Sequence, residues 1–179
     1  INSSAIRTII LCKIASLKWN VQFFTYLQVT NLFYMLEKVS LEKVLFLDIE
    51  TVPQTYQFPE LADETRHLFE MKTRFMQNEE KSFEQLYNER GGIYAEFGKI
   101  VCISVGFVHD TRTGRQIRMK SFYHDDEATL LKQFKNLLDD RYNTPYHILC
   151  GHNAKEFDFP YICRRMLING IKLPAVLDI

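Results

Sequence analysis

The stretch Val44-Leu-Phe-Leu-Asp48-Ile-Glu50-Thr51 constrains this chain more than any other. Val44 to Leu47 is a short apolar run that fits a sheet core better than a surface, so it predicts a buried strand. Alternate side chains of a strand share a face. Asp48 and Glu50 should therefore point one way, at the strand's carboxyl end, and Ile49 the other. Two carboxylates that close repel each other, and burying either is costly unless a cation or a proton compensates. A hard divalent cation with oxygen ligands, Mg²⁺ or Mn²⁺, is the natural partner. A lone Asp-x-Glu is more often just a strand ending in solvated acids. A second acidic site far downstream lifts this pair above that reading.

The rest of the chain can supply a core around such a strand. Its 179 residues suffice for one domain, and at 46% hydrophobic and 13% aromatic it is globular rather than disordered. Lys+Arg and Asp+Glu both number 22, so no global charge draws it to nucleic acid, and a local basic groove would have to do so. Cys12, Cys102, Cys150 and Cys163 form no Cys-x-x-Cys pair, which speaks against a zinc site or a disulfide framework. Reduced thiols in a cytoplasmic protein are the expectation.

Composition shifts at Met35. Residues 1–34 hold no acid and only three basic residues, Arg7, Lys13 and Lys18, in an apolar and aromatic background. Asn20, Gln22, Thr25, Gln28, Thr30 and Asn31 interrupt its uncharged run, so a membrane span is not expected. It also lacks the dense Arg/Ser pattern of a transit peptide. The expectation is that 1–34 is a leader or upstream translated sequence and that the domain is 35–179.

Within the domain, Thr51-Val-Pro53 is expected to end the first strand, because proline cannot continue a ladder. Leu61 to Gln77 and Ser82 to Tyr87 read as helices, and the mixed-charge run Arg66 to Lys81 as a solvated face. Gly91-Gly92 marks a turn. Ile100 to Val108 and Gln116 to Tyr123 read as a hairpin, turning over His109 to Arg115. Glu127 to Leu138 has helical apolar spacing through Leu130, Leu131, Phe134, Leu137 and Leu138. Tyr146 to Cys150 reads as a short strand. This order predicts an α/β domain: a mixed sheet in which an antiparallel hairpin joins strands that return through helices.

The second acidic site follows that short strand, in Gly151-His-Asn153-Ala-Lys-Glu-Phe157-Asp158. Phe159, Ile162, Cys163, Met166 and Leu167 trace the apolar face of a helix stopped by Gly170, and Pro160 fits its first turn. Asp158 then stands at the helix amino terminus. There it could serve only to complement the helix dipole, and Asn153 could be only a turn residue. Yet sites in α/β sheets lie beyond the carboxyl ends of strands, and both acidic sites are expected at such ends.

Together the two sites carry a resemblance. Phe46-Leu-Asp48-Ile49-Glu50-Thr51 resembles the first motif, Asp-x-Glu, of the DEDD superfamily of 3′-5′ exonucleases. Asn153-Ala-Lys-Glu-Phe157-Asp158 resembles the second, Asn-x-x-x-Phe/Tyr-Asp. The chain looks most like the proofreading exonuclease domain of family-B DNA polymerases in a stand-alone form, from about Leu41 onward. The resemblance implies a ribonuclease H-like fold and two-metal phosphodiester hydrolysis by Mg²⁺ or Mn²⁺ ions about 4 Å apart. By it, Asp48 would bridge both ions, Glu50 would bind one and orient the attacking water, and Asp158 would hold the other. Ile49 and Thr51 would cradle the terminal nucleotide, and Asn153 and Phe157 would line the path of a single strand held by its 3′ end, with DNA the expected substrate and RNA left open.

The third motif of that superfamily, Tyr-x-x-x-Asp or His-x-x-x-x-Asp, has no counterpart after Asp158: Pro174 stands four residues before Asp178. The expectation is therefore a fold incomplete at its C-terminus and a fragment that is weakly active or inactive. Lys172 to Ile179 reads as one more strand. Two rivals stand beside this reading. A haloacid-dehalogenase-like phosphatase needs Asp-x-Asp, which Glu50 and the Asn153 motif oppose. A non-catalytic nucleic-acid-binding module of the same fold needs no complete acid set.

Overall fold

The computed structural model describes residues 39–78 and 81–178, and the elements below lie in the unit Leu41–Ile179. The expected leader 1–34 falls outside the described residues, as does Cys12.

Four strands form one mixed sheet in the order β3-β2-β1-β4. β1 is Val44–Pro53, β2 Gly98–Thr111, β3 Gly114–Tyr123 and β4 Ile148–Cys150. β2 runs antiparallel to β1 and β3, and β4 runs parallel to β1. Among the described residues, four α-helices accompany the sheet: α1 (Asp63–Thr73), α2 (Phe83–Arg90), α3 (Glu127–Arg141) and α4 (Asp158–Ile168). α1 and α2 fill the β1–β2 connection, α3 returns the chain from β3 to β4, and α4 follows β4. This is the mixed α/β arrangement expected from the order of elements.

β1 is longer than its apolar run suggested. It continues through Thr51 and Val52 to Pro53, which pairs with Gly98. The long β2 offers it a partner throughout, and a proline at the last position of a strand forfeits little of the ladder. A register shift between Glu50 and Thr51 leaves Val101 of β2 as an extra residue, a β-bulge beside the acidic pair. The hairpin turn is likewise tighter than expected, only Arg112 and Thr113, with Gly114 at φ 123°.

The core lies on one face of the sheet. Leu45, Leu47 and Ile49 of β1 and Ile103 and Val105 of β2 meet Leu130, Leu131, Phe134 and Leu138 of α3 and Ile162 and Met166 of α4. α3 starts where Asp126 accepts the Thr129 N–H at 2.9 Å, an N-cap. On α4 the expected apolar face is only partly right: Ile162 and Met166 are fully buried, but Leu167 is 62% exposed. A second cluster, Phe58, Leu61, Phe69, Leu86, Tyr87 and Phe97, holds the β1–β2 insertion together. α2 opens with a capping box in which the Ser82 hydroxyl accepts the Gln85 N–H and the Gln85 side chain accepts the Ser82 N–H.

The expected terminal strand over Lys172 to Ile179 is not formed. Ala175–Leu177 is a single 3₁₀ turn following Pro174, and Leu177 tucks into the core. Its apolar residues serve packing, not a ladder. Cys102, Cys150 and Cys163 are free thiols. Among the described residues, no helix is long and apolar enough to cross a membrane.

Candidate active site

Pairing places the acids differently from the strand-end picture. Asp48 and Glu50 lie in the middle of β1, opposite Ser104 and Cys102 of β2. The end that matters belongs to β4, which pairs with β1 only through Val44, Leu45 and Phe46. Past Phe46, no strand among the described residues pairs with β1 on that side, and the site occupies the notch. It therefore still lies beyond the carboxyl end of a parallel strand pair, as α/β sheets favour.

The alternation along β1 is as expected. Ile49 is 4% exposed and in the core, while Asp48 and Glu50 are half-buried on the other face. Directly opposite residues of an antiparallel pair share a face, so Cys102 and Ser104 line that same face. Ser104 shares a hydrogen bond with Ser121 of β3 at 2.9 Å. Burial first, and then the charges of Glu50 and Asp48, push the Cys102 thiol up. These β2 and β3 neighbours were not legible in the sequence, because only strand register brings them to the acids.

Beyond β4 the chain hugs β1. A Cβ on Gly151 would lie 2.7 Å from the Leu47 carbonyl oxygen and 2.7 Å from the Ala154 Cβ, so only glycine permits this approach. A turn over 152–157 follows. Asn153 takes φ 53°, a left-handed conformation that Asn tolerates better than most residues. Its carbonyl accepts the N–H groups of Glu156 and Phe157, each at 3.1 Å, and so closes the turn. α4 then begins at Asp158.

One contact joins the two motifs. Asp158, 5% exposed, accepts the Ile49 backbone N–H on Oδ1 at 3.1 Å. Ile49 is the residue between the two β1 acids, and its N–H points into the notch where a longer β4 would have paired. A buried amide without a partner is costly, and the carboxylate replaces the missing strand. The third acid is thereby fixed against the segment that carries the first two. The other candidates are more dispersed. Asn153 is exposed in the turn, and Thr51 is half-buried beside the Tyr161 hydroxyl. Phe157 packs on the core, its ring 5.4 Å from that of Tyr161.

The donors are carboxylate oxygens, which suit a hard divalent cation. Among the described residues, however, no group of three or more His, Cys, Asp or Glu side chains is arranged to hold a metal ion. The set fits such an ion in kind, without enclosing one.

Asn153 invites a paired test of backbone against side chain. Asn153→Gly is expected to leave the melting temperature unchanged. Asn153→Ala should cost about 1–2 kcal/mol, because a Cβ without a local hydrogen bond disfavours the left-handed region. If the side chain also meets substrate, both variants lose cleavage to the same degree; loss in the alanine variant alone would assign Asn153 to the backbone only.

The family model for the DNA polymerase family B exonuclease domain matches residues 3–176. A comparison with curated proteins finds no match. The mixed four-stranded sheet with flanking helices agrees with the ribonuclease H-like α/β fold implied by the motifs. With a match over nearly its whole length, the chain belongs to the family of DNA polymerase family B exonuclease domains.

Proposed function

We propose that this domain is a metal-dependent 3′-5′ exonuclease that hydrolyses phosphodiester bonds at the 3′ ends of single-stranded DNA in the cytoplasm. The observation that carries the reading is the bond from Asp158 to the amide between Asp48 and Glu50, in a chain of an exonuclease family. Asp48, Glu50 and Asp158 would hold two Mg²⁺ or Mn²⁺ ions. When bound, such ions supply an activated water and stabilise the leaving oxygen. The chain's own residues do the positioning. The Ile49 amide orients Asp158, and the side chain of Ile49 anchors β1 in the core beneath the acids. Thr51 is proposed to cradle the terminal nucleotide, and Asn153 and Phe157 to border the path of the strand; Ile49, expected beside Thr51 in that role, has its side chain 4% exposed in the core and could meet the nucleotide only through its backbone.

The test uses 3′-labelled and 5′-labelled single strands of DNA and RNA with Mg²⁺, Mn²⁺ or EDTA. Mononucleotides released from the 3′ end only with metal are expected, slowly, because no general base beyond the three acids is assigned and such a base is typically worth about 10²–10⁴-fold. Endonucleolytic products, or full activity in EDTA, would overturn the reading. Single-strand binding without metal, and no release with it, would favour the non-catalytic binding module. The lack of a metal-enclosing group among the described residues is the observation on that side.

We also propose that the domain begins at about Met35. Deleting 1–34 should leave the melting temperature of the remainder within error. The family match starts at residue 3, so a drop of several degrees would assign the aromatic residues Phe23, Phe24 and Phe33 to the folded unit.

A further inference from the structure

Asp158, Tyr161 and Arg165 of α4 and Asn169 at its C-cap follow one another at three- and four-residue steps, on one stripe of the helix. Each is hydrogen-bonded to a neighbouring element. Asp158 takes the Ile49 N–H. The Tyr161 hydroxyl donates to the Gly92 carbonyl at 2.9 Å. Arg165 donates through Nε to Glu127 at 2.9 Å and through Nη1 to the Ala95 carbonyl at 3.0 Å. Asn169 donates to Glu127 at 3.1 Å. Glu127, the first residue of α3, also accepts the Ile100 N–H of β2 at 2.7 Å.

Glu127 and Arg165 are 9% and 5% exposed. An ion pair this buried is poor evidence for stability, since apolar residues of similar volume often serve as well or better. α4 already has apolar anchors in Ile162 and Met166. Such packing is non-directional, and by itself it tolerates rotation or sliding of a helix on a sheet. Directional bonds at several heights do not. The seat of Tyr161 is equally specific, because a Cβ on Gly98 would come within 2.2 Å of its hydroxyl.

We infer that the Glu127–Arg165 pair, with Tyr161, is a positioning device for the acidic site. It fixes the rotation and register of α4 and thereby holds Asp158 on the Ile49 amide. Its kinetic consequence rests on the exonuclease reading; its structural consequence does not.

The test is the double variant Glu127→Gln with Arg165→Met. The introduced glutamine can still accept the Ile100 N–H, and the introduced methionine fills the space of the arginine, so the variant is expected to fold. Hydrogen exchange at the Ile49 amide, followed by NMR, should quicken about tenfold or more, while that of Leu45 and Leu47 stays at the parent rate. On single-stranded DNA, kcat should fall about 10–100-fold with KM little changed, as for supporting partners of metal ligands. Tyr161→Phe, which removes one hydroxyl, should move both readouts the same way by less, and it decides the matter if the double variant fails to fold. A folded variant with parental Ile49 exchange would overturn the inference. If the parent itself releases no nucleotide, the exonuclease reading fails alone, and the exchange measurement still stands.

Discussion

Asp158→Asn is expected to leave the fold standing and to lower 3′-end hydrolysis by about 10³-fold or more, the loss due when a group that organises charge at the reacting centre is removed. An asparagine Oδ1 can still accept the Ile49 N–H that Asp158 accepts at 3.1 Å. What the substitution removes is the charge, and with it the affinity for a hard cation. Mn²⁺ binding, followed by electron paramagnetic resonance, should weaken together with cleavage, while the melting temperature holds. Asp158→Ala differs. Relief of repulsion among crowded acids argues for unchanged or higher stability, but here the substitution orphans a buried amide at a cost of about 1–3 kcal/mol. Asp48→Ala keeps the simpler expectation of held stability. If Asp158→Asn cleaves at the parental rate, Asp158 is a strand-edge cap and nothing more.

Phe69→Ala should be the most damaging single truncation in the β1–β2 insertion, at about 3–5 kcal/mol. Phe69 is fully buried, and its ring lies 5.6 Å from Phe58, 5.3 Å from Tyr87 and 5.1 Å from Phe97. That loss is a large share of the roughly 5–15 kcal/mol that holds a typical domain. It should also reach the site, because the same cluster holds the connector that receives α4. The Tyr87 hydroxyl accepts the Thr55 N–H at 3.2 Å, and Gly92 and Ala95 accept from Tyr161 and Arg165. Urea denaturation would measure the loss, and amide exchange in α1 and α2 should quicken before that in β1 and β2. A cost under about 1 kcal/mol would mean that the insertion closes around the gap.

How much was legible without coordinates varied from element to element. α3 could be read because its apolar period is local, and Leu130, Leu131, Phe134 and Leu138 are buried where the pattern puts them. Elements whose limits depend on a partner could not. β1 runs to Pro53 because β2 is there to pair with it, and the C-terminal residues form a 3₁₀ turn, with no strand among the described residues to take them up. Arg165 on α4 has no local signature of its own, because Arg164 and Arg165 both stand between Ile162 and Met166 and only the fold shows that Arg165 is the buried one.

The sequence by itself determined the order of elements from β1 to α4, the common face of Asp48 and Glu50, and the place of Asp158 at a helix start. Each depends on a period of two or of 3.6 residues, or on a cap, and so on residues close in the chain. Only the tertiary structure decided that β4 pairs with β1 no further than Phe46, which leaves the Ile49 N–H open to a carboxylate that approaches from 109 residues away. That contact has no local signature. It exists because a buried amide at the end of a short parallel pairing needs an acceptor, and the helix following β4, held in register by Arg165 and Glu127, brings one.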